Sequence, residues 1–488
     1  MNLEINMDKN KFEIVLDYFK KISKIPRCSL NEQEISDYLV NFAKENNFEV
    51  YQDDLLNVII KKEATEGYEN APTVILQGHM DMVCEKNEDV IHDFTKDPIE
   101  LIVNGDYMSA NGTTLGADNG IAVAFCLAIL SSNDIPHPAI EVLITSREEI
   151  GLLGANAVDG TKLNGKILIN IDAEEEGVLF TSCAGGIRSA VKIPITYENI
   201  LNDNFYEIKI TGLKGGHSGM EIDKNRANSN KLLGRVLKNL SEIDSFRIAE
   251  VSGGMKVNAI PREAIAKVIF DNENIHEIED GINNINKIFR NEFQSSDSDI
   301  SIQLIKINDT LNKVFSNETQ SKLISLYTLM PFGVKSMSSN INGLVESSTN
   351  LGIVRTDEEF ILFNSSTRSS VGSLKTKIIE EISKLSEILN LKMETFASYP
   401  EWEYKEKSYI RDLFVEIYND MYHNKPVITA IHAGLECGIL SEKIENSDMI
   451  AFGPNIYDVH TPNEKISISS VENTWNYFCE VLKRINKN

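Results

Sequence analysis

Gln77-Gly78-His79-Met80-Asp81-Met82-Val83 directly follows the apolar run Val74-Ile75-Leu76, of the kind that forms a buried strand. A histidine and a carboxylate, two residues apart, therefore fall at a strand's C-terminal end, where open α/β sheets bind ligands. Residues i and i+2 of a strand share a face, which puts His79 and Asp81 on the same side. The pattern suits a metal-binding imidazole whose second nitrogen is held by the adjacent carboxylate.

Four further sites repeat this arrangement. Gly116-Ala117-Asp118-Asn119-Gly120 precedes the apolar stretch Ile121 to Leu130, whose composition fits a buried helix with Asp118 near its N-terminus. The strand-like run Ile140 to Thr145 leads into Arg147-Glu148-Glu149, and Lys166 to Ile171 ends in Asp172. Far downstream, Tyr457-Asp458-Val459-His460-Thr461-Pro462 follows the apolar Met449 to Phe452. A carboxylate just after a strand is often an N-cap or a solvated turn residue. Five such positions, all bearing ligand-type side chains, point instead to a metal centre.

The order His-x-Asp, Asp-Asn-Gly, Glu-Glu, Asp and a late His resembles the dinuclear-zinc M20 peptidases. The fuller strings Gln-Gly-His79-Met-Asp81-Met-Val, Leu-Gly-Ala-Asp118-Asn-Gly and Ser-Arg-Glu148-Glu149-Ile-Gly-Leu-Leu-Gly resemble the aminoacyl-histidine dipeptidase branch of that family. So do Gly215-Gly216-His217-Ser218-Gly219 and His432-Ala-Gly-Leu-Glu436-Cys-Gly, and the resemblance runs over essentially the whole chain.

The resemblance implies two Zn²⁺ per chain, with Mn²⁺ or Co²⁺ also suited to mixed His/carboxylate ligands. Two ions ~3.5 Å apart need one bridging ligand and further ligands on each. Asp118 matches the bridge, His79 and Asp172 complete one ion, and Glu149 and His460 complete the other. Asp81 orients His79. Neighbours in an extended segment point opposite ways, so Glu148 and Glu149 take different jobs. The resemblance gives Glu149 to the metal and makes Glu148 the general acid/base for a metal-activated water. None of the six cysteines forms a Cys-x-x-Cys pair, which argues against a closed structural zinc site.

At 488 residues the chain should form at least two domains. The formal net charge of −25, from 48 basic and 73 acidic residues, argues against a nucleic-acid partner. No apolar run approaches membrane-spanning length, and the opening Met1 to Asp8 does not read as a signal peptide. Cys28, Cys84, Cys126, Cys183, Cys437 and Cys479 read as reduced core or incidental thiols of a cytoplasmic protein.

Helical spacing of Phe12, Val15, Leu16 and Phe19, and of Ile35, Leu39, Val40 and Ala43, opens the chain around Pro26. Strands and helices then alternate up to Asp172, as in an α/β layer architecture. From Tyr206 the pattern reads strand, helix, strand, strand, helix, strand to about Lys306. A similar series runs from about Asn317 to Phe396, in which a first strand is not evident. After Pro400 the α/β pattern resumes, with helices near Lys407 to Tyr422 and Ser469 to Ile485. Because His460 must join ligands from the first 172 residues, the middle region is an insertion. The expected layout is a zinc-exopeptidase-type α/β catalytic domain (1–185 and 401–488) with an inserted α+β lid (186–400) of two tandem units. Relatives with a single-unit lid dimerise through it, so a doubled lid permits a monomer or a homodimer and lets His217 act in cis.

The family resemblance makes His217, in a glycine-flanked loop, the residue that stabilises the tetrahedral intermediate. Arg368, after Asn364-Ser365-Ser366-Thr367, and Asn258 match positions that contact the substrate's C-terminal end in relatives. Glu436 is expected to meet the substrate's amino group. His432 has no assigned role, and His92, His137, His276 and His423 read as surface residues.

These features imply a zinc exopeptidase acting on a small peptide, most simply a dipeptide held at both ends, with the histidine preference resting on the resemblance alone. The same metals and glutamate would also serve a tripeptidase, a carboxypeptidase or an N-acyl-amino-acid deacylase. Outside the enzyme class stand a non-catalytic peptide-binding relative and a metal-storing protein.

Overall fold

Strands rich in Val, Ile and Leu on both faces can only be stable between two covering layers. Val74–His79, Ile140–Thr145 and Ile167–Asn170 are such strands, buried at every position. The computed structural model describes residues 4–200, 205–243, 245–270, 275–308 and 313–485. Residues 1–3 of the stretch that does not read as a signal peptide lie outside the described residues.

The described chain separates into two units. The first comprises 1–182, 404–430 and 435–488, and the second 183–403 and 431–434. The expected boundaries at 185/186 and 400/401 thus shift by three residues, and the short stretch 431–434 goes with the inserted unit. No helix among the described residues is long and apolar enough to cross a membrane.

Among the described residues the first unit is built on an eight-stranded sheet. Its centre is parallel, in the order Ile140–Thr145, Val74–His79, Ile167–Asn170 and Asp448–Ala451. Antiparallel pairs continue it on the outer sides, through Val58–Lys62 and Glu49–Gln52 and through Val178–Cys183. Parallel register brings the C-terminal ends of the central strands side by side. The loops bearing His79, Glu148 and Asp172 therefore emerge together.

The helix Ala117–Ser131 is apolar all round and buried from Ile121 to Leu130, as a helix enclosed on all sides must be. Each of its large apolar side chains contributes about 1.5–3 kcal/mol by leaving water. It lies directly against the strand carrying His79. A Cβ on Gly78 would come within 2.5 Å of Asn119 Oδ1 and 2.6 Å of Ala122 Cβ, so only glycine fits there. A small four-stranded sheet of Leu101–Asn104, Tyr107–Ala110, Lys465–Ser467 and Ile456–Tyr457 anchors the loop bearing His460.

Among the described residues the second unit is built on a nine-stranded antiparallel sheet with helices Ser229–Ile243, Ile275–Glu292, Asn317–Leu329 and Gly372–Ile388. Its first half has Phe205–Thr211 between Ala264–Phe270 and Ser301–Ile307, with Phe246–Gly253 beyond. In the second half Gly185–Pro194 takes the equivalent place, between Phe360–Ser369 and Lys392–Tyr399, with Val345–Thr356 beyond. The strand not evident in the second series is therefore present. It precedes the first half in sequence, so one half is nested within the other. The halves join where Ser252 and Gly253 pair with Arg355 and Val354.

Three local expectations are corrected. Cys28 and Cys84 form a disulfide with Cα atoms 5.8 Å apart, because a parallel bridge sets Cys28 beside Met82. Among the described residues Cys126, Cys183, Cys437 and Cys479 stand outside any disulfide. His137 is buried, its Nδ1 donating to the Pro138 carbonyl at 2.7 Å, and is not a surface residue. Glu148 and Glu149 stand in a turn after Thr145, with Arg147 at φ 53°, not in an extended segment.

Candidate metal centre and active site

Asp118 stands at the centre of the site in the first unit. Its Oδ1 lies 3.2 Å from His79 Nε2, and its Oδ2 lies 3.1 Å from His460 Nε2. Asp172 Oδ1 is 3.5 Å from the same His79 nitrogen, and Glu149 Oε1 is 3.1 Å from His460 Nε2. Two ligand sets built on Asp118 result, His79–Asp118–Asp172 and Asp118–Glu149–His460, beside a third grouping of His79, Glu148 and Glu149. One carboxylate that offers a separate oxygen to each imidazole is the donor geometry a pair of divalent ions requires. The residues fit such a pair.

Neighbouring groups hold these ligands. Asn119 accepts from the His79 amide at 3.1 Å and donates to the Ile171 carbonyl at 2.7 Å, tying two strand ends together. Asp81 does more than orient His79. His79 Nδ1 meets the Asp81 carbonyl at 3.1 Å and its carboxylate at 3.4 Å. That carboxylate also accepts from the amides of Glu148 and Glu149, at 3.0 and 3.3 Å, and from Ser29 Oγ at 2.8 Å. Asp81 thus sets the turn that carries both glutamates.

Electrostatics agree with a centre built for cations. Burial opposes a charged imidazole at His79, yet Asp118, Asp172 and Asp81 hold its pKa well above the usual value. Hydrogen bonds to Asp118 and Glu149 raise His460 to about 11. Burial pushes Asp172 up to about 6 against the pull of His79. Glu148 is likewise raised, chiefly by burial. Asp118 is held below the usual carboxylate range by His460 and His79, despite its burial. In each set a proton takes the place of a cation.

Glu436 is fully buried, with Oε2 accepting from Gln77 Nε2 at 2.5 Å and Thr145 Oγ1 at 2.6 Å. Burial raises its pKa to about 7. A carboxyl lifted from about 4.5 when unfolded to about 7 when folded destabilises the fold as it ionises. The loss begins near pH 4.5 and is complete above pH 7, at about 3 kcal/mol. In chelator-treated protein, Glu436→Gln should match the parent near pH 4.5 and melt higher at pH 8. An unchanged gap between the two melting curves from pH 4.5 to 8 would contradict this ionisation.

The second unit holds the remaining candidates. His217 pairs with Ala259 in a short two-stranded ladder, and the Ser218 amide donates to the Asn258 carbonyl at 2.9 Å. His217 Nδ1 accepts from the amides of Gly219 and Met220 at 3.3 and 3.1 Å, which leaves Nε2 as the N–H donor. Burial and nearby Arg368 lower its pKa, favouring the neutral ring. Arg368 is nearly buried, its Nη1 donating to Tyr399 Oη at 2.8 Å, while its Nε has no protein partner among the described residues. His432, buried and hydrogen-bonded to Ser348 at 2.7 Å, is held neutral, its pKa pushed down to about 3 by desolvation and Arg368.

The family model described as peptidase family M20/M25/M40 matches residues 75–484. This chain belongs to that family. It is 37% identical over 470 residues to the cytosol non-specific dipeptidase of Escherichia coli K12, covering 96% of this chain and 97% of that one. The solved aminoacylhistidine dipeptidase of Vibrio alginolyticus is 39% identical with a TM-score of 0.92, over 97% of each chain. Aminopeptidase PepT of Bacillus cereus shares the fold at 14% identity and a TM-score of 0.57, over 98% of this chain and 99% of that one. The M20 chain is thus a peptidase with a His/Asp/Glu metal site.

Ser29, Asn119, Tyr399, Arg27 and Glu464 escaped sequence reasoning. Asn119 had a signal, as the amide inside the Asp-Asn-Gly string. Glu464 lies two residues past the Tyr457–Pro462 string, and the others lie beside no motif.

Proposed function

We propose that this chain is a cytoplasmic dipeptidase that prefers Xaa-His and works with two Zn²⁺ ions, Mn²⁺ or Co²⁺ being alternatives. The reading is carried by the two ligand sets sharing Asp118, with Glu148 beside them. The names of the two relatives above support a dipeptide substrate, and that of the Escherichia coli relative supports the cytoplasm. The domain roles follow the units: the first is catalytic and the second is the lid.

His79 and Asp172 would hold one ion, Glu149 and His460 the other, and Asp118 both. Bound, they would supply Lewis-acid polarisation of the peptide carbonyl and acidify a water. Glu148, whose proton affinity is raised by burial, takes the proton from the attacking water and delivers one to the departing amine. Asp81 keeps Glu148 in position through its amide. His217 presents a neutral Nε2–H to the developing oxyanion. Arg368, steadied by Tyr399, takes the substrate carboxylate bidentately, and Asn258 adds an amide donor. Glu436 has one carboxylate oxygen without a protein partner among the described residues, which we assign to the substrate's amino group. The doubled lid would let His217 act in cis, which permits a monomer without forbidding a homodimer.

The test is hydrolysis by zinc-loaded protein of Xaa-His, β-alanyl-histidine, non-histidine dipeptides, a tripeptide and an N-acetyl amino acid. Xaa-His dipeptides should be cleaved fastest. Faster cleavage of the tripeptide or acyl compound would overturn the substrate assignment. No turnover despite two bound ions would overturn the enzymatic reading.

A further inference from the structure

We propose that Glu464 is a positioning residue for the metal centre, gripping the loop that carries Asp118 while Arg27 locks that loop from a second direction. The inference rests on the metal-centre reading above.

The helix Ala117–Ser131 does not begin regularly. Asp118 and Asn119 have non-helical backbone angles, so the amides ahead of the first regular turn need outside acceptors. Each buried amide left unpaired would cost about 1–3 kcal/mol. One carboxylate serves four of them. Glu464 Oε2 accepts from Leu115 and Gly116 at 2.8 and 2.9 Å, and Oε1 accepts from Ala117 and Asp118 at 2.8 and 3.3 Å. An ordinary N-cap comes from the residue just before the helix and satisfies one or two amides. This one comes from the opposite end of the chain and is 2% exposed.

Its place in sequence ties it to the ligands. Glu464 follows His460 by four residues, and its own amide closes the turn onto the Thr461 carbonyl at 3.0 Å. The same short loop therefore brings His460 Nε2 to Asp118 Oδ2 and grips the Asp118 backbone. The shared carboxylate and its imidazole partner are set relative to each other through one short, hydrogen-bonded piece of chain.

Arg27, also 2% exposed, supplies the compensating charge. Its Nη2 donates to the Gly116 carbonyl, and its Nη1 to the Met80 carbonyl at 3.1 Å and the Asp81 carbonyl at 3.5 Å. Burial lowers its pKa to about 10 and Glu464 foremost opposes that, so it is cationic at neutral pH. Arg27 thus joins the Asp118 loop to the His79–Asp81 loop. A Cβ on Gly116 or Gly120 would come within 2.5 or 2.6 Å of Arg27 Nη2. Glycine on both sides of the aspartate thus leaves room for the guanidinium, and the φ of 69° at Gly116 favours glycine there as well. A buried guanidinium and a buried carboxyl are costly to keep unless well paired. What they hold here is the position of the bridging ligand.

The experiment titrates chelator-stripped parent, Glu464→Gln and Glu464→Asp with Zn²⁺ against a competing chelator. Circular dichroism and melting of the metal-free proteins are recorded alongside. Supporting groups around metal ligands typically account for about 10–100-fold in affinity. Folded Glu464→Gln should bind zinc about 10–100-fold more weakly, with Glu464→Asp between it and the parent. A cap serving the fold alone would lower the melting temperature and leave zinc affinity untouched, which would overturn the proposal. So would loss of the fold in both variants. A parent that binds no divalent ion would instead refute the metal-centre reading, a separate failure.

Discussion

Glu148→Gln should reduce kcat for a dipeptide by about 10²–10⁴ while zinc content stays that of the parent. Glu148 is absent from both sets built on Asp118, yet its carboxylate falls within ligand distance of His79 and Glu149. It therefore stands at the edge of the centre. Its backbone amide is fixed by Asp81, so an isosteric amide keeps the turn intact. What the variant loses is the ability to accept and return a proton. Burial already raises the Glu148 pKa above the usual carboxylate range, which strengthens its hold on a proton. Zinc by atomic absorption, measured beside steady-state kinetics, separates the roles. Near-parental kcat would sink the mechanism, and parallel loss of zinc would make Glu148 a ligand.

Asp118→Asn should abolish detectable turnover and weaken binding of both ions by more than about 100-fold, since a direct ligand outweighs a supporting group. The reason is that Asp118 alone belongs to both sets, one oxygen facing each imidazole. An asparagine offers one oxygen, and its NH₂ faces the other nitrogen as a competing donor. A second readout needs no metal. Without metal, the hydrogen bond to Asp118 is the first cause that pushes His460 up to about 11. In the stripped variant its imidazole resonance should shift at a distinctly lower pH. Two ions bound with parental affinity would remove Asp118 from the shared position.

Much of this was legible along the chain because apolar runs end where ligands begin. Val74-Ile75-Leu76 before His79, Ile140 to Thr145 before Glu148 and Lys166 to Ile171 before Asp172 announce buried strands with polar C-terminal ends. Parallel neighbours in one sheet then bring those ends together. The helix before Leu130 and the strand–helix series after Tyr206 were legible by the same periodicities.

The order of strands in the inserted unit was not. Gly185–Pro194 completes a half whose other strands lie more than 150 residues further on, and nothing local marks that pairing. The Cys28–Cys84 bridge was equally hidden, since a separation of 56 residues carries no spacing signal. His137 reads as any loop histidine until Pro138 and the surrounding core enclose it.

Residue types at strand ends, readable one element at a time, determined the class of fold and the ligand chemistry. Tertiary structure alone decided which Asp118 oxygen faces which imidazole, that Asp81 holds the glutamate turn, and that Arg27 and Glu464 meet on one loop. The physical reason is range. Periodicity and composition report which groups an element buries, whereas hydrogen bonds between distant segments depend on distances that exist only after the chain has closed on itself.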